Sequence, residues 1–269
     1  MKILAKIGVS LSVVAAVLVG AFYNVLLAQG ISHPPVSAAE RALATETRPL
    51  GAGIVNIDMN GPVELKLVQG NTPSMAVRAE KRLLPNLTTE QDGNTLHVGL
   101  KGFNIHTRQP LQVEVTLPAL QQLNLAGSGG ADVKGFSGEQ LQLALRGSGD
   151  AVFVGQYKRI NASILGSGDL QLNGGNSDNV ELNLTGSGEI TITGQSKALA
   201  AKIMGSGNIN ASKLPSDTVK LDLFGSGDAN LNARQSVTLN LRGSGDIHVD
   251  GKPAQRNVSR TGSGDVSFE

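Results

Sequence analysis

The stretch Val-Glu-Leu-Asn-Leu-Thr-Gly-Ser-Gly-Glu-Ile-Thr-Ile, residues 180–192, contains the pattern that decides the fold. Apolar and polar residues alternate on both sides of the Gly-Ser-Gly triplet, which is typical of strands with one buried face. Counted from the first glycine, the apolar residues fall at −6, −4, −2, +4 and +6, so both glycines share their parity. A hairpin turn would reset this alternation. We therefore expect a sharp bend in one continuing path, with glycine inward where a side chain would collide.

The triplet recurs eight times at intervals of 18 to 20 residues. This period predicts an all-β fold, a parallel β-solenoid of about eight coils that share one apolar interior. A further glycine at +8 in most units predicts a second bend. A sandwich of antiparallel hairpins is the alternative, but it would not require the triplets to keep their register. The predicted inward corner glycines are Gly127, Gly129, Gly147, Gly149, Gly166, Gly168, Gly186, Gly188, Gly205, Gly207, Gly225, Gly227, Gly243, Gly245, Gly262 and Gly264.

The chain divides into four predicted segments. Residues 1–28 form a hydrophobic helix that is either a signal peptide or a membrane anchor, and residues 29–48 form a flexible linker. Residues 49–120 alternate in the same way as the repeat and predict an irregular N-terminal β cap. Residues 121–269 form the Gly-Ser-Gly solenoid.

The N-terminal segment predicts the compartment. Lys2 and Lys6 precede the mostly apolar residues 7–28, close to the roughly 20 residues that a membrane-spanning helix needs. A signal peptide cleaved after Ala28 or Ala38 fits the same pattern. In both cases the positive charge stays in the cytoplasm and the rest is exported. We expect a periplasmic or cell-surface protein that contacts the membrane only through this segment, anchored in the inner membrane if the segment is retained.

Composition excludes several classes of function. Lys and Arg number 23 against 22 Asp and Glu, so the net charge of +1 argues against a nucleic-acid partner, which needs a concentrated basic surface. The absence of cysteine excludes disulfides, thiol catalysis and cysteine-ligated zinc. Aromatic residues make up 3% of the chain and tryptophan is absent, which leaves few stacking platforms for sugars or bases.

The outward position at +3 is mostly acidic and predicts a column of carboxylates along the solenoid. Two interpretations stay open: neighbouring coils pool their oxygens to bind Ca²⁺, or each side chain bonds its own backbone amides at the bend. Exposed carboxylates about 5 Å apart repel by only roughly 0.8 kcal/mol in water, so no ion is required. We therefore expect no cofactor, with Ca²⁺ as the one candidate. This acidic column comprises Asp150, Asp169, Glu189, Asp228, Asp246 and Asp265, with Asn208 at the same position.

No catalytic or metal site is predicted. Ser244, Asp246 and His248 alternate along one outward face, but residues two apart on a strand lie roughly 6.6 Å from each other. That is too far for the direct hydrogen bonds of a triad. The other histidines show no metal-ligand spacing.

Residues 49–269 also contain several short motifs outside and within the repeat. They are Ile54-Val55-Asn56-Ile57, Gly61-Pro62-Val63-Glu64-Leu65, Gln69-Gly70-Asn71, Val113-Glu114-Val115-Thr116-Leu117-Pro118, Gly243-Ser244-Gly245-Asp246, Gly251-Lys252-Pro253 and Gly262-Ser263-Gly264-Asp265. In these motifs the chain resembles the bacterial proteins with a putative auto-transporter adhesin head GIN domain. The resemblance implies an exported β-helical domain of the envelope with no established catalytic activity.

We favour a non-catalytic function, a structural or adhesin-like module that offers flat β-faces to a surface polymer or a partner protein. An enzyme acting on polysaccharide is one alternative, and it would need acids clustered in a groove together with sugar contacts. A periplasmic accessory protein of envelope assembly or stress sensing is another. The sequence determines neither the ligand nor the oligomeric state.

Overall fold

The computed structural model describes residues 39–102 and 109–269, and Leu43–Glu269 forms one unit. The hydrophobic helix predicted within residues 1–28 lies outside the described residues. Among the residues that are described, no helix is long and apolar enough to cross a membrane. Their helical backbone is confined to a 3₁₀ turn at Leu84–Asn86.

The rest of the described chain is strands joined by bends and turns. In chain order the strands are Leu43–Arg48 (β1), Asn56–Asn60 (β2), Val63–Gln69 (β3), Ser74–Glu80 (β4), Leu87–Asp92 (β5), Thr95–Leu100 (β6), Leu111–Leu117 (β7), Gln122–Gly127 (β8), Ala131–Gly147 (β9), Ala151–Gly166 (β10), Leu170–Gly186 (β11), Glu189–Gly205 (β12), Asn208–Lys213 (β13), Ser216–Gly225 (β14), Ala229–Gly243 (β15), Ile247–Asp250 (β16), Gln255–Gly262 (β17) and Val266–Phe268 (β18).

Each coil of the repeat pairs in parallel with the coil before it and the coil after it. In β10, for example, Ile160 lies opposite Leu141 of β9 and Val180 of β11. The predicted inward positions are buried, with Val180, Leu182 and Leu184 at most 2% exposed. The parallel β-solenoid is therefore confirmed. It makes about seven turns, where eight were predicted.

Backbone lies directly against backbone at the Gly-Ser-Gly corners. The first glycine of each triplet has φ between +116° and +144°, a conformation that L side chains rarely adopt. At the second glycine the obstacle is space, because a Cβ on Gly149 would overlap the carbonyl oxygen of Gly129. The corners also hydrogen-bond to each other, as when Ser148 N–H donates to Gly127 O over 3.0 Å. Stacked corners thus have no room for a side chain at either position.

Residues 49–120 contain a full coil of the solenoid as well as a cap. Strand β2 pairs in parallel with both β6 and β8, and β3 pairs in parallel with both β7 and β9. The coil β2–β3 therefore lies between β6–β7 and β8–β9, out of chain order. Gly61 occupies the corner, since a Cβ on Gly127 would lie 3.0 Å from its carbonyl oxygen. The prediction of irregular capping strands throughout this segment is wrong for β2 and β3.

The actual cap at the N-terminal end is antiparallel. Strand β4 pairs antiparallel with β7, β5 pairs antiparallel with β6, and β1 pairs antiparallel with β4. Because β1 spans Leu43–Arg48, the last part of the predicted flexible linker 29–48 is an ordered strand, which corrects that prediction. Arg48 fixes it further, since its Nη2 donates to Leu84 O over 2.8 Å.

The C-terminal end closes with charged side chains instead of extra strands. Strand β17 is exposed along its length, and Arg256 and Arg260 stand where earlier coils have buried leucine or valine. The Arg256 guanidinium stacks on the Phe268 ring at 4.4 Å. Arg260 Nη1 donates to Asp265 Oδ1 over 2.9 Å. These residues cover the end of the apolar interior with charge, which discourages further strand pairing.

The corner packing makes a direct prediction about stability. We expect Gly149→Ala to lower the free energy of unfolding by roughly 3 kcal/mol or more, because its methyl group overlaps backbone that cannot move aside. The neighbouring Ser148 points to solvent, so Ser148→Ala should change stability by no more than about 0.5 kcal/mol. Urea denaturation followed by circular dichroism measures both. Equal midpoints for the two variants would contradict the corner model.

Candidate binding groove

The acidic column forms a hydrogen-bonded ladder between coils. Asp150 Oδ1 accepts the backbone N–H of Asp169 at 2.9 Å, and Asp228 Oδ1 accepts that of Asp246 at 2.8 Å. Asn208 does the same for Asp228, whereas Glu189 does not, and the N–H of Asn208 donates to Gly188 O instead. In Asp150, Asp169, Asp228 and Asp246, one carboxylate oxygen is thus bonded to the backbone amide of the next coil, not to an amide of its own bend.

The residues considered for a triad face the next coil rather than one another. Ser244 Oγ lies 3.1 Å from Ser263 Oγ, and Asp246 Oδ1 accepts the N–H of Asp265 at 2.9 Å. His248 Nδ1 lies 2.9 Å from Ser267 Oγ. The prediction that these side chains do not form a triad is consistent with this arrangement.

A long groove crosses the strands on the outer surface of the solenoid. It consists of two adjoining cavities of about 500 and 510 Å³ that share Gln140 and Arg159. In β9 to β12 and in β15 the groove crosses the middle of the strand. It runs from Asn56 in β2 to Ser236 and Thr238 in β15.

Two outward columns, seven and five residues before the corner glycine, form the surface of the groove. Their members are amides, hydroxyls and a few charges, with the small Ala198 and Ala200 leaving open space at the centre. The residues five before the corner are Asn56, Gln122, Gln142, Asn161, Glu181, Ala200, Lys220 and Thr238, and those seven before it are Gln140, Arg159, Asn179, Ala198, Thr218 and Ser236. The outward side chains of one coil form a rung, and since coils lie about 4.8 Å apart the groove presents a rung every 4.8 Å, polar in every coil except that of β12.

A ladder of alternating charge runs beside the groove. Glu139 pairs with Lys158 at 2.7 Å, Asp178 with Lys197 at 2.6 Å, and Asp217 with Arg234 at 3.5 Å. Acid and base occupy successive coils, so each charge faces an opposite charge one coil away. The alternation avoids like charges at coil spacing and leaves this rim without a net field of one sign. We call these six residues the charged ladder.

In the central pair of the charged ladder, Asp178 and Lys197 shift each other's pKa. The hydrogen bond and the positive charge of Lys197 lower the pKa of Asp178, with smaller contributions from Lys158 and Arg159. The same partner, Asp178, raises the pKa of Lys197. A lowered carboxyl pKa stabilises the fold above the usual Asp pKa, and this contribution is lost as pH falls through the lowered value.

The groove has no local signal in the sequence. Each polar residue that lines it looks like an ordinary outward position of a strand, such as Asn161 or Thr218. The groove results from the alignment of these residues across coils. A column-by-column reading of the 19-residue period would have shown the acid–base alternation of the charged ladder.

The acidic column gives one testable prediction. Asp228→Ala removes the acceptor of the Asp246 N–H and should lower the free energy of unfolding by about 1 kcal/mol. Asp228→Asn keeps an acceptor oxygen, as Asn208 does naturally in this column, and should be close to neutral. Thermal or urea unfolding distinguishes the two. If Asp228→Asn is as damaging as Asp228→Ala, charge rather than hydrogen bonding is the important property.

The charged ladder gives another prediction. In Lys197→Met the pKa of Asp178 should rise toward its ordinary value, because the largest cause of its lowering is removed. Lys220→Met, which changes a lysine in the groove that does not act on Asp178, should leave this pKa unchanged. An NMR pH titration of the Asp178 carboxyl carbon measures both. An unaltered pKa in Lys197→Met would show that the pair is not formed in solution.

Comparisons with known proteins agree with this architecture. Similar solved structures include a "putative lipid binding protein" from Parabacteroides distasonis (24% identity, TM-score 0.76, covering 84% of this chain and 96% of that one). They also include a "putative adhesin" from the same species (21%, 0.81, 86% and 98%) and one from Parabacteroides merdae (19%, 0.79, 84% and 96%). At these identities the likeness concerns the fold alone.

The search of curated proteins gives no significant match. The family model described as "putative auto-transporter adhesin, head GIN domain" matches residues 55–253. This match spans most of the chain and nearly the whole solenoid, from β2 through the coil of β16. The chain therefore belongs to the family of putative auto-transporter adhesins with a head GIN domain.

Proposed function

We propose that this protein is a non-catalytic binding module of the bacterial envelope that holds an extended, hydroxyl-rich surface polymer in its groove. The observation that carries the proposal is the groove itself, which crosses the coils from β2 to β15 and presents polar side chains in every coil except that of β12, where Ala198 and Ala200 leave open space. An extended chain laid across the coils meets a new rung about every 4.8 Å. Its contacts are therefore weak singly and additive along its length.

The chemistry of the rungs suits a neutral polymer. Gln140, Asn161 and Asn179 both donate and accept hydrogen bonds, as do Thr218 and Ser236. Hydroxyl groups of a glycan also donate and accept, so they can pair with such side chains in either sense. The charged ladder beside the groove pairs three acids with three bases, so it adds no net charge that would favour an anionic polymer.

The carboxylates that line the groove are engaged in contacts that suit binding rather than catalysis. Glu139 is paired with Lys158 at 2.7 Å. Glu181 accepts one hydrogen bond from Asn161 at 3.3 Å and another from Asn183 at 3.2 Å. Hydrolysis of a glycosidic bond needs one protonated and one free carboxyl group on opposite sides of the bond. The bonding of Glu139 and Glu181 favours a role in positioning a ligand.

The envelope location belongs to the same proposal. Lys2 and Lys6 precede the apolar residues 7–28, which directs export of everything that follows. The adhesin-like family is in keeping with an exported or surface protein. On this basis the solenoid works in the periplasm or at the cell surface, held by residues 7–28 where they are retained.

The experiment measures polymer binding in variants that fill the groove. Full-length wild-type protein is immobilised and exposed to a panel of neutral and acidic bacterial surface polysaccharides. Ala200 is exposed at the centre of the groove, so Ala200→Tyr should weaken binding of a neutral polymer by about tenfold or more without disturbing the core. The matched control is Val154→Tyr, which adds the same ring at an exposed position of β10 outside the groove.

The outcomes separate the alternatives. Loss of binding in Ala200→Tyr with none in Val154→Tyr supports the groove as the binding site. Equal effects of the two variants, or no binding to any polymer in the panel, would overturn the proposal. Shortening of the bound polymer during the assay, detected by mass spectrometry, would establish the polysaccharide-active enzyme instead.

A further inference from the structure

Three side chains that can ligate a metal meet on the outer surface of the last two coils. His248 Nε2 lies 3.3 Å from Asp250 Oδ1 and 3.8 Å from Glu269 Oε2. One ligand atom from each of the three lies within 4.8 Å of the others. All three side chains are accessible, with 31%, 36% and 78% of their surfaces exposed respectively. A dissolved ion could therefore reach them directly.

The solenoid backbone sets this arrangement. His248 and Asp250 are two residues apart on β16, so their side chains leave the strand on the same face. Strand β18 pairs in parallel with β16 and places Ser267 opposite His248. The backbone N–H of Glu269 donates to Val249 O over 3.1 Å, which fixes that residue beside Asp250. The cluster thus combines two neighbouring coils.

The spacing of the ligand atoms fits a small divalent ion. Zinc binds histidine nitrogen and carboxylate oxygen at about 2.0–2.2 Å in a tetrahedral arrangement. Two ligands at that distance from a tetrahedral ion are about 3.3–3.6 Å apart. The two separations from His248 Nε2, 3.3 and 3.8 Å, are close to this range. The Glu269 side chain is exposed, so it can rotate to shorten the longer of these two separations.

Ser267 orients the histidine for this role. Its Oγ lies 2.9 Å from His248 Nδ1, the ring nitrogen that faces away from the carboxylates. When Nδ1 carries the proton, its N–H donates a hydrogen bond to the Ser267 hydroxyl oxygen, and the lone pair of Nε2 points toward Asp250 and Glu269. Metal-bound histidines commonly have their second nitrogen held by such a partner.

We propose that His248, Asp250 and Glu269 bind one divalent transition-metal ion of the Zn²⁺ type, with water at the remaining position. Calcium is disfavoured because it takes six to eight oxygen ligands, whereas imidazole suits zinc, nickel and copper. The ion ties β18 to β16 and so fastens the outermost coil to the one before it. This site is independent of the groove and of the polymer proposed to occupy it.

Metal titration tests the proposal. Zn²⁺ is titrated by calorimetry into the full-length chain, purified in a mild detergent and without a histidine tag. We expect one ion per chain and a higher midpoint of thermal unfolding in its presence. His248→Gln and Glu269→Gln should each weaken binding by about tenfold or more, and Ser267→Ala by about tenfold through loss of orientation.

The matched control is His97→Gln. His97 Nδ1 lies 3.4 Å from Asp58 Oδ2, so it forms a similar histidine–aspartate pair, and the cluster of three ligands does not include it. Zn²⁺ affinity should be unchanged in this variant. Co²⁺ added to the wild type should give visible absorption of tetrahedral type, and His248→Gln should abolish it. The proposal is overturned if the wild type shows no saturable binding, or if His248→Gln and Glu269→Gln bind as tightly as the wild type.

Discussion

The contact between the carbonyl oxygen of one corner glycine and the backbone of the next is the constraint on which the structure depends. At Gly149 any side chain would overlap Gly129, and at the first glycine of each triplet the positive φ excludes most residues as well. Because successive corners hydrogen-bond to each other, each coil is locked at the same height and phase as its neighbour. A displacement by one residue would bring a side chain into the corner and turn the buried face outward at once.

Because the stacked corners fix the phase of each coil, the repeat also determines which side chains lie next to each other on the outer surface. Once Gly147, Gly166 and Gly186 are stacked, the outward positions next to the corners are repeated at coil spacing in straight columns, and the register shifts occur farther from the corners. One such column, at the acidic positions, satisfies the backbone through aspartate oxygens. In the charged ladder, opposite charges alternate from coil to coil, and two more columns line the groove. None of these columns needs an aromatic platform or a catalytic group, since each derives its properties from repetition.

The sequence predicts the interior well and the cross-coil features poorly. Period-two alternation around the triplet is local, so the burial of residues such as Val180 and Leu184 follows from it directly. The place of β2–β3 in the stack does not follow from this local pattern. The chain leaves that coil, forms β4 to β7 on one side of it and returns to β8 on the other side. Likewise the groove depends on which small residues, Ala198 and Ala200, align beside longer ones on other coils. The cluster of His248, Asp250 and Glu269 is partly predictable from the sequence, because the 19-residue spacing alone places Glu269 beside Asp250 on the next coil.

The two ends of the solenoid are protected from edge-to-edge strand pairing in different ways. A stack of parallel coils exposes strand edges at both ends, and either edge could recruit another chain. At the N-terminal end β4 and β5 reverse direction, and β1 adds one further antiparallel strand. At the C-terminal end the repeat simply loses its apolar inward residues: Arg256 lies on Phe268, and Arg260 bonds Asp265. Charge at inward positions lets the coil pair with the one before it and leaves a poor surface for the next. The triplet therefore continues through Gly262 and Gly264 in a coil that has lost the buried leucine and valine of the coils before it.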